Sequence, residues 1–145
     1  MKTLLTILTT ITLTVSPLFA EAPTPGTNLA KTLHQATNEK KMAFVLLGRE
    51  SCGNCQATKK MVREGKIPVT ADTFVMADLN IDDQRTEGDF MQKYRKEKFG
   101  DTLPFVVVTD LHGKALVSSN GYKSPEQWTA LIAEAKTKAA AHAPK

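Results

Sequence analysis

The stretch Met42–Cys55, "MAFVLLGRESCGNC", decides how the rest of this 145-residue chain is read. It runs from a block of apolar residues into the only two cysteines, Cys52 and Cys55, placed three positions apart. The apolar block is short, carries Phe and Val, and is broken by Gly48, which favours a buried strand over a helix. Behind the cysteines, residues 56–64 are good helix formers that stop at Gly65. Cys52 therefore falls between a strand and a helix, and Cys55 one turn into that helix. Several N–H groups lack partners at a helix start, and the macrodipole leaves partial positive charge there. A thiolate at that point accepts those N–H groups, and its pKa falls from about 8.5 to roughly 3.5–7.5 in such settings.

Four chemistries compete for such a pair. A structural disulfide closing so small a ring removes little entropy from the unfolded chain. Zinc takes four ligands and the pair supplies two, while His34, His112 and His142 are scattered singly. Two thiolates also suit a soft copper(I) ion. The fourth is thiol–disulfide exchange: Cys52 attacks a disulfide and Cys55 then displaces the mixed disulfide, with Gly53 and Asn54 in the tight turn between them. A Cys-x-x-Cys between a buried strand and a helix, in an α/β pattern, favours this last chemistry.

The flanking sequence supplies the α/β pattern. Residues 29–40 repeat apolar Leu29, Leu33 and Ala36 at helical spacing, with Asn28 as a cap. "TFVMADLNI" (73–81) predicts a second buried strand, and residues 88–98 a helix with Phe90, Met91 and Tyr94 inward. "PFVVVTD" (104–110) predicts a third strand. "DLHGK" is a turn in which Gly113 can take positive φ, and "ALVS" (115–118) a fourth strand, antiparallel to the third if this is a hairpin. Ser124 caps a last helix with Pro125 at its first position and Trp128 in its apolar stripe. The order α-β-α-β-α-β-β-α predicts an α/β fold: a mixed, mostly parallel sheet of about four strands with helices on both faces.

The first residues read differently. "MKTLLTILTTITLTVSPLFAEAPTPG" opens with one Lys, continues with an uncharged run and reaches a small residue at Ala20. This predicts a signal peptide over residues 1–20, cut after Ala20 and too short in its apolar run to anchor the chain in a bilayer. Residues 21–28 read as an extended leader, 29–138 as the domain and 139–145 as a frayed tail. Export carries the thiols to where disulfides persist. Removal of residues 1–20 takes Lys2 and no acid, lowering the net charge of +4 by one. The charges are interleaved, as in "KYRKEK", and do not cluster into a nucleic-acid footprint.

From residue 29 to 137 the chain resembles the thioredoxin superfamily. "MAFVLLGRESCGNC" is similar to the strand that enters the family's Cys-x-x-Cys helix, "DLNID" (78–82) to the end of its next strand, "TLPFVVV" to the strand headed by its cis-proline, and "NGYKSPEQWTALI" to the glycine before its last helix. The resemblance implies that Cys52 is the nucleophile and Cys55 the resolving cysteine. It implies a cis bond before Pro104, in a loop beside the sulfurs, with the Leu103 backbone pairing with a client chain. Gly53, Asn54, Leu103 and Pro104 are then the client-binding residues.

The chain also departs from the family. Ser51 and Asn54 stand where its best-known motif has Trp and Pro. Leu46 stands where it has a buried acid, and Asp78 where the facing strand often has Lys. Asp78 is the expected proton acceptor for Cys55, with Glu50 as the other candidate. The implied activity is an exported protein-disulfide oxidoreductase. Its partners are protein dithiol or disulfide clients and a dithiol electron donor or acceptor. The chemistry needs no bound cofactor or metal, and both cysteines lie inside the motif, so the protein is expected to be a monomer. The chain lacks the large helical insertion that the resemblance associates with a dedicated periplasmic oxidant, so the reductase direction is favoured. The rival reading is a thioredoxin-like binding module that holds copper(I) or a client without turnover.

Overall fold

The structure is a computed structural model that describes residues 20–142. The expected signal peptide, apart from its last residue, lies outside the described residues. The elements in chain order are β1 (Pro25–Gly26), α1 (Leu29–Glu39), β2 (Met42–Gly48), α2 (Gly53–Arg63), β3 (Phe74–Asn80), α3 (Gln84–Lys93), β4 (Phe105–Thr109), β5 (Ala115–Asn120) and α4 (Pro125–His142). They build one five-stranded sheet in the order β1-β3-β2-β4-β5.

The period-2 alternation of β2 explains the layering. Phe44 and Leu46 point to one face, where they pack with Met61 and Val62 of α2 and with Trp128, Ile132 and Ala135 of α4. Ala43, Val45 and Leu47 point to the other, against Leu29 and Ala36 of α1 and Phe90 of α3. Both faces of the strand are covered, which is why it reads as an unbroken apolar run. Trp128 meets Phe44 edge-on, with ring centroids 5.6 Å apart. It is a core residue, as its place in the apolar stripe of α4 predicted.

Four differences from the sequence expectation stand out. The sheet has five strands, because Pro25–Gly26 pairs with Met76 and Ala77 of β3. The leader is thus part of the domain: Pro23 is buried and the Glu21 carbonyl accepts the Ala71 N–H at 2.7 Å. The sheet is evenly mixed, since β1 and β2 run parallel to β3 whereas β4 runs antiparallel to both β2 and β5.

The third difference is α3, which starts four residues before the predicted Gly88 and ends at Lys93. The Asp83 carboxylate accepts the Thr86 N–H at 2.8 Å and so caps the helix ahead of the glycine. The fourth is α4, which carries the expected tail as helix as far as His142. Its start is as predicted: Gln127 N–H donates to the Ser124 hydroxyl at 3.3 Å, while Ser124 N–H donates to the Gln127 amide oxygen at 2.9 Å. The β4–β5 connection is a hairpin in which Gly113 takes φ 76°. Among the described residues, no helix is long and apolar enough to cross a membrane.

Candidate functional site

Strand β2 ends at Gly48, a tight turn follows, and Cys52 becomes the N-cap of α2 with φ −86° and ψ 110°. Its carbonyl accepts the first helical bond, from Gln56 N–H at 3.0 Å, and its sulfur accepts the Cys55 N–H at 3.1 Å. A cysteine thus holds the post that Ser, Asp or Asn usually fills, and one amide of the first helical turn, that of Cys55, is aimed at its sulfur. The Gln56 side chain ties back to the Glu50 carbonyl at 3.0 Å, which fixes the approach of the turn.

The two sulfurs have opposite surroundings. Cys52 is half-buried, while Cys55 is fully buried on the inner side of α2. They are joined as a disulfide with Cα atoms 5.2 Å apart. Cys55 lies against the backbone of Gly48: a Cβ there would come within 2.7 Å of its Sγ and 3.1 Å of its Cβ. Gly48 is therefore required for close approach, a role its sequence position did not disclose; the pattern marked it only as the end of a strand.

The Leu103–Pro104 peptide bond is cis, as the resemblance implied. Its loop faces the cysteine turn, because the Asn54 side-chain amide donates to the Leu103 carbonyl at 3.4 Å. Pro104 is buried and Leu103 half-buried, whereas Gly53 is exposed. Five of the seven residues singled out from sequence, Cys52, Gly53, Asn54, Leu103 and Pro104, thus form one rim at the end of the sheet.

Asp78 and Cys55 both attach to the face of the sheet that α2 covers. Asp78 pairs in register with Leu46, whose side chain reaches the same point of Gly48 as Cys55 does. The Asp78 carboxylate accepts a hydrogen bond from the Lys59 ammonium at 3.0 Å. Lys59 was missed from sequence. The available signal was its spacing of four from Cys55, which places it one helical turn further along α2. Glu50, 3.9 Å from the same ammonium, is almost wholly exposed. An open cleft of about 200 Å³ bordered by Gly48, Glu50, Lys59 and Asp78 leads from solvent to the pair.

The histidines stand apart from this rim. His112 sits in the β4–β5 turn, at the end of the sheet where Thr109 pairs with Ala43, and His34 and His142 lie on α1 and α4. Among the described residues, no group of three or more His, Cys, Asp or Glu side chains is placed to hold a metal ion.

No protein-family model matches the chain, and no curated protein does. Solved structures do. A disulphide isomerase from Xylella fastidiosa Temecula1 superposes with a TM-score of 0.57 at 20% identity, over 74% of this chain and 87% of its own. A mutant thioredoxin from Halobacterium salinarum NRC-1 gives 0.53 at 16%, over 73% and 84%. A protein described as DsbH oxidoreductase gives 0.54 at 14%, over 91% and 95%. The chain has the thioredoxin fold. In this thioredoxin-like domain the cysteine pair, the cis-proline loop and the end of β3 meet at one pole, and the opposite pole carries the β4–β5 turn.

Proposed function

We propose that the protein is an exported thiol–disulfide oxidoreductase that works on protein disulfides, running mainly as a reductase. The observation that carries this reading is the Cys52 sulfur at the N-cap of α2, taking the Cys55 N–H at 3.1 Å. In the reduced protein the same amide and the helix dipole favour the thiolate over the thiol.

The cycle balances as a two-electron exchange. The Cys52 thiolate attacks one sulfur of a client disulfide, and the other client sulfur leaves as a thiolate. Cys55 gives its proton to Asp78, and its thiolate attacks the Cys52 sulfur. The Cys52–client bond breaks, the second client sulfur leaves as a thiolate, and the internal disulfide closes. A dithiol protein, or dithiothreitol in an assay, returns two electrons to the pair. The Leu103 backbone and the Gly53–Asn54 turn would hold the client chain while this occurs.

Export rests on the pattern of residues 1–20, with cleavage after Ala20. The reductase direction is supported by the short β3–β4 connection, whose only helix is the ten-residue α3. Insulin reduction by dithiothreitol, with and without the protein, tests the reading. Catalysis abolished by Cys52→Ser, together with one thiol titrating well below 8.5, is the expected result. Tight 1:1 copper(I) binding with no insulin turnover would instead support a binding module.

A further inference from the structure

Along the chain basic and acidic residues alternate, but folding gathers cations at the pole opposite the cysteines. Helices α1 and α3 both end there, on either side of the β4–β5 turn. In the last turn of α1, the Thr37 hydroxyl donates to the Leu111 carbonyl at 2.7 Å. From the end of α3, the Lys93 ammonium reaches over Gly113, 3.5 Å from where a Cβ there would stand. Lys93, Arg95, Lys96 and Lys114 border one open cleft of about 590 Å³, and Lys40 borders a second, of about 250 Å³, across the turn.

All five side chains are exposed, and none forms an ion pair among the described residues. The nearby carboxylates do not cancel them. Glu39 is taken by Lys41 at 2.7 Å, and Asp110 accepts the His112 and Lys114 N–H groups at 2.8 and 2.9 Å. Glu97, half-buried, is the one carboxylate that borders the larger cleft. Cations at a helix C-terminus answer its dipole, which accounts for Lys40 and Lys93. It does not account for Arg95 and Lys96, which follow α3, or for Lys114, which lies between two strands. Lys40 also holds φ 54°, a left-handed conformation that glycine adopts at less cost.

We infer that this pole docks on an anionic phospholipid surface, with its cations among the headgroup phosphates and the cysteine pole facing away. Two features select that partner. A protein partner is gripped through aromatic or large apolar anchors. Among the described residues the one exposed large hydrophobic side chain, Tyr122, follows β5 at the cysteine pole. A single small anion cannot touch cations that stand around two clefts on opposite sides of a turn, whereas a broad charged surface meets them together. Strand β2 joins the two poles with seven residues, which at about 3.3 Å each sets the cysteine turn roughly 20 Å from the lipid. A docked molecule therefore keeps Cys52 open to disulfides on neighbouring proteins, whichever way the electrons flow.

Cosedimentation of the full chain with lipid vesicles tests the docking. Neutral phosphatidylcholine vesicles give the baseline for every variant, and vesicles with about one-third phosphatidylglycerol supply the negative surface. Binding above the baseline should appear at low salt and vanish at about 0.5 M sodium chloride. One exposed lysine near such a surface is worth about fivefold in affinity, so Lys96→Ala/Lys114→Ala should bind at least about tenfold more weakly. The pair Lys31→Ala/Arg85→Ala removes the same charge from the starts of α1 and α3 and should bind within about twofold of wild type. Dithiothreitol should reduce the Cys52–Cys55 bond of the vesicle-bound protein as fast as that of the free protein. Equal losses from the two double variants, equal binding to neutral vesicles, or a disulfide shielded on the vesicle overturns the docking. Tighter binding to a short DNA duplex than to the vesicles overturns it too, and assigns the pole to nucleic acid.

Discussion

Lys59 and Asp78 meet at 3.0 Å from two different elements, and the lysine is the more buried partner, with 13% of its side chain exposed against 28% for the aspartate. A lysine sunk that far requires a carboxylate facing it. The pair fixes Asp78 at the edge of the surface that carries Cys55. Asp78→Ala should slow release of the mixed disulfide by at least about tenfold, given that a positioned base contributes roughly 10²–10⁴-fold. Glu50→Gln should slow the step far less, because the Glu50 side chain is 94% exposed and stands 3.9 Å from the ammonium. Stopped-flow release of a labelled client measures both; an unchanged rate for Asp78→Ala removes the aspartate from the mechanism.

Gly48→Ala should injure the site without touching either sulfur chemically. The added methyl would stand 2.7 Å from the Cys55 sulfur and 3.3 Å from the Leu46 side chain. Both neighbours are fully buried and have little room to retreat. Overpacking of this kind costs roughly 1–3 kcal/mol. Urea denaturation of the oxidised protein should record that loss, and stability equal to wild type would mean that α2 shifts freely on the sheet.

Tyr94 offers a test that depends on pH. Its hydroxyl is buried and has no hydrogen-bond partner among the described residues. Burial, then the charges of Asp110 and Glu97, push its phenol above the ordinary 10.0. The folded state therefore holds this proton more tightly than the unfolded chain does. The associated stability is complete below the unfolded value and drains away as pH climbs above it. Tyr94→Phe should flatten the decline that sets in as pH rises above 10.0, relative to wild type. At neutral pH it should leave stability unchanged or raise it by up to about 1 kcal/mol, since an unmade buried hydrogen bond is removed. A marked loss at neutral pH would show that the hydroxyl has a partner.

Ser124→Ala should weaken the start of α4. It removes the acceptor of the Gln127 N–H and leaves the Gln127 side chain as the remaining half of the reciprocal cap. The expected cost is about 0.5–2 kcal/mol. Thermal unfolding followed by circular dichroism measures it; a cost near zero would mean that the packing of Trp128 alone holds the helix in place.

Much of the fold was legible because its signals are local. The apolar run of β2, the turn at Gly113 and the Ser124–Pro125 start of α4 each carry their instructions within a few residues. Helix α3 was displaced because Gly88 looked like a boundary, whereas its φ/ψ is helical and a Cβ there would meet nothing within 4 Å. The competing signal, Asp83 three residues before Thr86, is a short cap with no apolar residue beside it.

Strand β1 was missed because two residues containing a proline carry no periodicity, and its pairing is decided by β3, some fifty positions away. The site divides along the same line. The cysteine turn and the cis-proline loop announce themselves in the sequence. Gly48 and Lys59 matter only through neighbours brought close by folding, Cys55 for the one and Asp78 for the other.

The short strand at Pro25–Gly26 has a protective consequence. It occupies the outer rim of β3, and Pro25 offers no N–H of its own for a further strand to grip. A chain shortened to begin at residue 27 would bare that rim, and its unpaired amides would become a template for stacking one molecule on the next.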